Sequence, residues 1–241
     1  MRPSRRTFLG VASAWLAAGA LPRTACAADL GPGAHPLGLD HERDGLLYLP
    51  RRYQAGVAAP LMVLFHGAGG TAQSVAYAYP MADEHGVIIL APDSRDQRTW
   101  DLVLGAYGPD ADFLSTALGQ TLGRCTVDRT RLSLAGHSDG ASYALSFGIG
   151  VGDLFTQILA MSPGVMTPID AKGKPRIFIS HGTHDNVMPI DDTSRKFVPR
   201  LKGLGYDVTY REYDGRHPVP TEVVSEGFNW AYPPVAASGR G

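Results

Sequence analysis

Arg131-Leu132-Ser133-Leu134-Ala135-Gly136-His137-Ser138-Asp139-Gly140 is the stretch on which the reading of the fold turns. Its first half is a short, largely apolar run, which predicts a strand covered on both faces, as in a parallel sheet. Its second half is a G-x-S-x-G sequence, directly after that strand and before a helical stretch. Small residues at 136 and 140 permit a sharp turn that lifts Ser138 above the sheet, with a helix N-terminus behind it. Alone, the motif also fits a glycine-rich turn whose serine caps the next helix. The surrounding chain has to decide between the two.

Working outward, similar apolar runs recur and each ends in a polar or glycine cluster. Leu61–Phe65 ends at His66-Gly67, and Val87–Ala91 ends at Pro92-Asp93. Ile158–Met161 ends at Ser162-Pro163-Gly164, and Arg176–Ser180 at His181-Gly182. A further strand is expected over Val208–Tyr213. Helical spacing falls between them: Leu114, Leu118 and Leu122 recur every four residues, and Phe197, Leu201 and Leu204 precede a stop at Gly205. Alternation of strand and helix over most of the chain predicts an α/β fold with a single doubly wound, mostly parallel sheet and helices on both faces. Ligands bind such sheets at the carboxyl ends of the strands, where the polar clusters lie. The Gly/Pro-rich stretch from Asp29 to about Leu39 reads as loose chain.

Composition narrows the function classes. The 241 residues are 44% hydrophobic, enough to build a core. Lys plus Arg is 22 and Asp plus Glu is 23, a net charge of −1. That balance excludes a generally basic nucleic-acid binder and argues against disorder. Residues 1–27 read as an export signal. Ser4-Arg5-Arg6-Thr7-Phe8-Leu9 is a twin-arginine pattern, an apolar stretch runs from Phe8 to Leu21, and Ala25-Cys26-Ala27 is a small-x-small cleavage site. Cleavage there leaves residues 28–241 as one domain. With Arg2, Arg5, Arg6 and Arg23 removed, 18 cations face 23 acids, a net charge of −5. No apolar run reaches the roughly 18 residues of a membrane span, so an exported, periplasmic or secreted protein without a stable membrane anchor is expected. Cys125 would then stand alone, and reads as a small, partly buried apolar residue. Oligomeric state is not legible.

A serine hydroxyl is a weak nucleophile until a base takes its proton, and that base needs an acid to orient it. Three histidines follow Ser138. His217 sits in Asp214-Gly215-Arg216-His217-Pro218-Val219-Pro220, the loop after the last expected strand. Asp185 lies just past the Arg176–Ser180 strand, in His181-Gly182-Thr183-His184-Asp185-Asn186-Val187-Met188-Pro189. It is the natural orienting acid. Asp214 is the rival, disfavoured because it is three residues from His217 and on the same loop. A metal at His181-x-x-His184-Asp185 is disfavoured, since no third cluster converges on it. An oxyanion would take one donor from the N–H of Asp139. The second is assigned to Ala68, in the loop His66-Gly67-Ala68-Gly69-Gly70. Trp100, in the segment after the Val87–Ala91 strand, fits either a wall of the substrate pocket or a rim aromatic packed on the scaffold.

Taken together, these motifs resemble the α/β-hydrolase superfamily, over most of residues 45–230. Within it the chain looks like the phospholipase/carboxylesterase group and the polyhydroxybutyrate-depolymerase-like and feruloyl esterases. The resemblance implies the α/β-hydrolase fold and a serine esterase using Ser138, His217 and Asp185, with no cofactor and no metal. The substrate implied is a small-molecule or oligomeric ester. With little chain left for a lid, an open cleft and short or soluble esters are expected. The sequence departs from the family pattern at Asp139 and Ala141, where an amide or apolar residue and a second glycine are common. A non-catalytic binding protein on the same scaffold, and a peptidase, are the competing classes.

Overall fold

The computed structural model describes residues 30–104, 108–168 and 170–233, and the expected export signal lies outside them. Eight strands form one sheet: β1 (Gly33–Pro36), β2 (Gly45–Leu49), β3 (Ala59–Phe65), β4 (Ile88–Pro92), β5 (Val127–His137), β6 (Gln157–Met161), β7 (Arg176–Gly182) and β8 (Val208–Tyr213). Their order is β1-β2-β4-β3-β5-β6-β7-β8. From β4 to β8 all neighbours are parallel, whereas β1 and β2 pair antiparallel at one edge.

Period-two geometry explains why the central strands are apolar without interruption. Along β3, Leu61, Val63 and Phe65 enter one core while Met62 and Leu64 enter another on the opposite face. Helices cover both faces. On the first lie α2 (Pro109–Arg124), α3 (Asp139–Gly150) and α4 (Ser194–Gly203), whose Leu114, Leu118, Phe147 and Leu201 belong to the same core as Leu61. On the second lie a 3-10 turn (Ala72–Ala78), α1 (Tyr79–His85) and α5 (Thr221–Ala231), contributing Val75, Met81, Val224 and Phe228. Every residue of α3 is buried. This is the helix that starts at the G-x-S-x-G turn, so the turn is anchored on a helix buried along its whole length. Truncating Phe147 to alanine there is expected to cost about 3–5 kcal/mol.

Two local readings need correction. The stretch expected to be loose contains an edge strand: Gly33–Pro36 is β1, with His35 opposite Leu47. Its side chains alternate between half-buried and exposed, so ladder hydrogen bonds hold it and no apolar pattern announces it. Leu204 does not extend the buried stripe of α4. The helix ends at Gly203, Leu204 is 56% exposed, and Gly205 takes the left-handed conformation at φ +78°.

Candidate active site

Ser138 stands between β5 and α3 with φ 59° and ψ −120°, a strained conformation for a residue with a side chain. The flanking glycines make that turn possible by close approach. A Cβ on Gly136 would lie 2.3 Å from the backbone of Gly140, and one on Gly140 would lie 2.2 Å from the Phe65 carbonyl oxygen. Both are below any tolerable contact, so the elbow is pressed against the end of β3. The Ser138 N–H donates to the Met161 carbonyl at 2.9 Å, fixing it to β6 as well.

Asp185 and His217 come from the loops after β7 and β8. Those loops are tied together: the Thr183 N–H donates to the Tyr213 carbonyl and the His184 N–H to that of Gly215, both at 2.9 Å. His217 Nδ1 lies 2.6 Å from Asp185 Oδ2, and its Nε2 lies 2.8 Å from Ser138 Oγ. A carboxylate only accepts, so Nδ1 carries the proton and Nε2 presents a lone pair to the serine hydroxyl. The Asp185 side chain is wholly buried. Burial pushes its carboxyl up, but N–H donation from Met188 and Val187 to Oδ1 (2.8 and 2.9 Å) and the His217 contact outweigh this and hold it below the usual carboxylate range.

Two further histidines, unassigned from the sequence, support this pair. His181 is 0% exposed. Its Nε2 lies 2.8 Å from the Met188 carbonyl oxygen and 3.2 Å from Asp185 Oδ2, and Nδ1 lies 2.7 Å from Ser194 Oγ. Nε2 therefore carries the proton and Ser194 donates to Nδ1. His137 Nε2 donates to the His217 carbonyl oxygen at 3.0 Å, and its ring lies 4.9 Å from that of His217. Burial lowers the pKa of both His137 and His181, which favours their neutral forms. Asp214, the rival acid, instead pairs at the surface with His184 Nδ1 at 3.0 Å. Among the described residues no group of three or more His, Cys, Asp or Glu is placed to hold a metal.

The loop His66–Gly70 leaves the end of β3 beside the elbow. The Ser94 N–H donates to His66 Nε2 at 3.0 Å, so Nδ1 is protonated and donates to the Gly67 carbonyl at 2.7 Å. Arg43 Nη2 donates to the Gly70 carbonyl at 2.9 Å. A Cβ on Gly67 would sit 3.6 Å from that of Ser138, which measures how near the loop passes. Ala68, at its tip, is exposed. Asp139 opens α3, and the first N–H groups of a helix have no partner inside it. Asp139 is 6% exposed, and its carboxylate accepts the Thr99 hydroxyl. Burial raises the pKa of this group, against the hydrogen bonding that Thr99 supplies. Trp100 departs from the pocket-wall expectation. It is 1% exposed, packs against Phe65 and Tyr143, and donates its indole N–H to the His66 carbonyl at 2.9 Å. A side chain so enclosed supports the loop from below and has no face to offer a substrate.

An eight-stranded, mostly parallel sheet with a serine on a strand-to-helix elbow and an aspartate and a histidine on later strand-end loops defines an α/β-hydrolase. The chain belongs to the family described as "Putative esterase", which matches residues 38–188; it is a carboxylic ester hydrolase. It is similar to "Probable feruloyl esterase C" of Aspergillus clavatus, 26% identical over 246 residues that cover 85% of this chain and 89% of the relative. The fold is shared with the crystal structure of esterase PE8 (23% identity, TM-score 0.64, 79% of this chain and 98% of that one). It is also shared with FphF, a fluorophosphonate-binding serine hydrolase of Staphylococcus aureus (16% identity, TM-score 0.64, 84% and 99%).

Proposed function

We propose that the chain cleaves esters in two acyl-transfer steps, with Ser138 as nucleophile, His217 as general base and acid, and Asp185 as the orienting acid. The observation that carries this reading is the unbroken hydrogen-bonded line from Asp185 through His217 to Ser138, at 2.6 and 2.8 Å. His217 Nε2 takes the hydroxyl proton as Oγ attacks the ester carbonyl. The buried Asp185 carboxylate stabilises the imidazolium that results. The N–H groups of Ala68 and Asp139 receive the developing oxyanion, in a site where fixed donors act without reorganising. The imidazolium then protonates the departing alcohol, and water repeats the cycle on the acyl-serine to release the acid and restore the enzyme.

Short or soluble esters are the substrates this reading favours. A second reading, an aryl-acid ester of the feruloyl type, is favoured by the likeness to the feruloyl esterase named above. Kinetics of the mature protein on acyl esters of graded length, beside feruloyl and hydroxybutyrate esters, separate them. Residues 1–27 act in this reading as a twin-arginine export signal, delivering residues 28–241 already folded to the periplasm or beyond. N-terminal sequencing of exported protein tests the cleavage point. For the nucleophile, Ser138→Ala is expected to abolish turnover of a p-nitrophenyl short-chain ester and labelling by a fluorophosphonate, with the fold intact. Undiminished turnover in that variant overturns the assignment. Failure of the wild-type chain to turn over any ester or take the label would favour a non-catalytic binding protein on the same scaffold.

A further inference from the structure

We propose that Arg98-Thr99-Trp100 is a positioning brace setting the distance between the two oxyanion donors, with Thr99 on the Asp139 carboxylate as its working contact. The inference rests on the acyl-transfer reading above. It concerns residues that touch neither the nucleophile nor its base.

The two proposed donors belong to separate pieces of chain, and their spacing must suit one tetrahedral oxygen. One piece, the elbow, has no slack, since Gly140 already abuts the end of β3. The other, the His66–Gly70 loop, has its base held by the His66 ring and by Arg43. Its tip is Ala68-Gly69, exposed and almost without side chain, so no packing locates it. What reaches toward the tip is the brace. The Gly69 N–H donates to the Arg98 carbonyl at 3.0 Å, and the Trp100 indole N–H donates to the His66 carbonyl at 2.9 Å. The Thr99 hydroxyl donates to the carboxylate of Asp139, the residue whose own N–H is the other donor. Three consecutive residues thus grip both halves of the oxyanion site. This also gives a role to the acidic residue that stands where amide or apolar residues are common: its carboxylate accepts the Thr99 hydroxyl without offering a competing N–H.

Removing the Thr99 hydroxyl deprives a buried carboxylate of that donor, an arrangement that relaxes by movement. Thr99→Val keeps the shape and deletes the donor; Thr99→Ser keeps the donor. On a p-nitrophenyl short-chain ester, Thr99→Val is expected to lower kcat roughly 10- to 100-fold, as displaced or lost oxyanion donors do. KM should move less than about threefold, because the ester's ground state does not need the donors. Affinity for a trifluoromethyl ketone, whose adduct with Ser138 carries the oxyanion, should fall in parallel. Thr99→Ser should recover most of both losses, which a merely structural role would not require. If Thr99→Val fails to fold, Thr99→Ala serves, with the same split between kcat and KM expected. The brace is refuted if a folded variant keeps wild-type kcat and inhibitor affinity, if the loss lies in KM, or if Thr99→Ser is as impaired as Thr99→Val. An inactive Ser138→Ala beside a fully active Thr99→Val removes the brace alone. An active Ser138→Ala removes the acyl-transfer reading beneath it.

Discussion

Asp185→Asn changes one oxygen to an NH2 group, and the structure fixes which one. Oδ1 accepts the N–H groups of Val187 and Met188 at 2.9 and 2.8 Å, so the amide must keep its carbonyl there. The NH2 then occupies the position of Oδ2, 2.6 Å from His217 Nδ1. Two donors cannot face each other at that distance. The imidazole responds by moving its proton to Nε2, leaving a lone pair on Nδ1 for the amide. Nε2 can then no longer take the proton of Ser138, although every heavy atom stays in place. The same tautomer inversion in the triad template costs about 10⁴-fold in kcat, or about 5 kcal/mol of barrier. Initial-rate kinetics on a p-nitrophenyl short-chain ester would show a fall of that order in kcat with KM little changed. Circular dichroism and thermal melting would confirm the fold. A folded Asp185→Asn enzyme within about tenfold of wild type would refute the tautomer argument, and with it the role given to Asp185.

Gly140→Ala places a methyl group 2.2 Å from the Phe65 carbonyl oxygen, so it should destabilise by about 2 kcal/mol or more. Urea denaturation measures this, and an unchanged midpoint would deny that the elbow abuts β3. Asp101 gives a pH dependence. Burial, and then the neighbouring Asp110 charge, raise its carboxyl to about 7. A group whose folded pKa is raised binds its proton more tightly folded than unfolded. Its contribution is therefore fully present below the unfolded pKa near 4 and is lost as pH rises through 7. Denaturant midpoints at pH 5 and pH 8 should differ less in Asp101→Asn than in wild type, and equal differences would contradict the assignment.

Much of this site was legible because its chemistry is carried by short local patterns. The short apolar runs in Leu61–Phe65 and Arg176–Ser180, each ending in a polar and glycine cluster, announced strands covered on both faces. G-x-S-x-G announced an elbow through its small residues. The edge strand Gly33–Pro36 escaped because backbone pairing, not side-chain burial, holds it. Trp100 was ambiguous for a different reason: an indole is equally at home in a pocket wall and beneath a loop. Its one polar atom finds its partner 34 residues away, at His66.

The sequence by itself determined the alternation of strands and helices, and which residues could act as nucleophile, base and acid. These follow from hydrophobic period and side-chain chemistry, which are local. Only the tertiary structure decided which acid faces the base, that His137 and His181 brace the pair, and that the Asp139 carboxylate ends on Thr99. Each of those is a contact between strand-end loops or neighbouring turns. Its partner is chosen by how the sheet stacks its strands, a long-range outcome that no window of sequence contains.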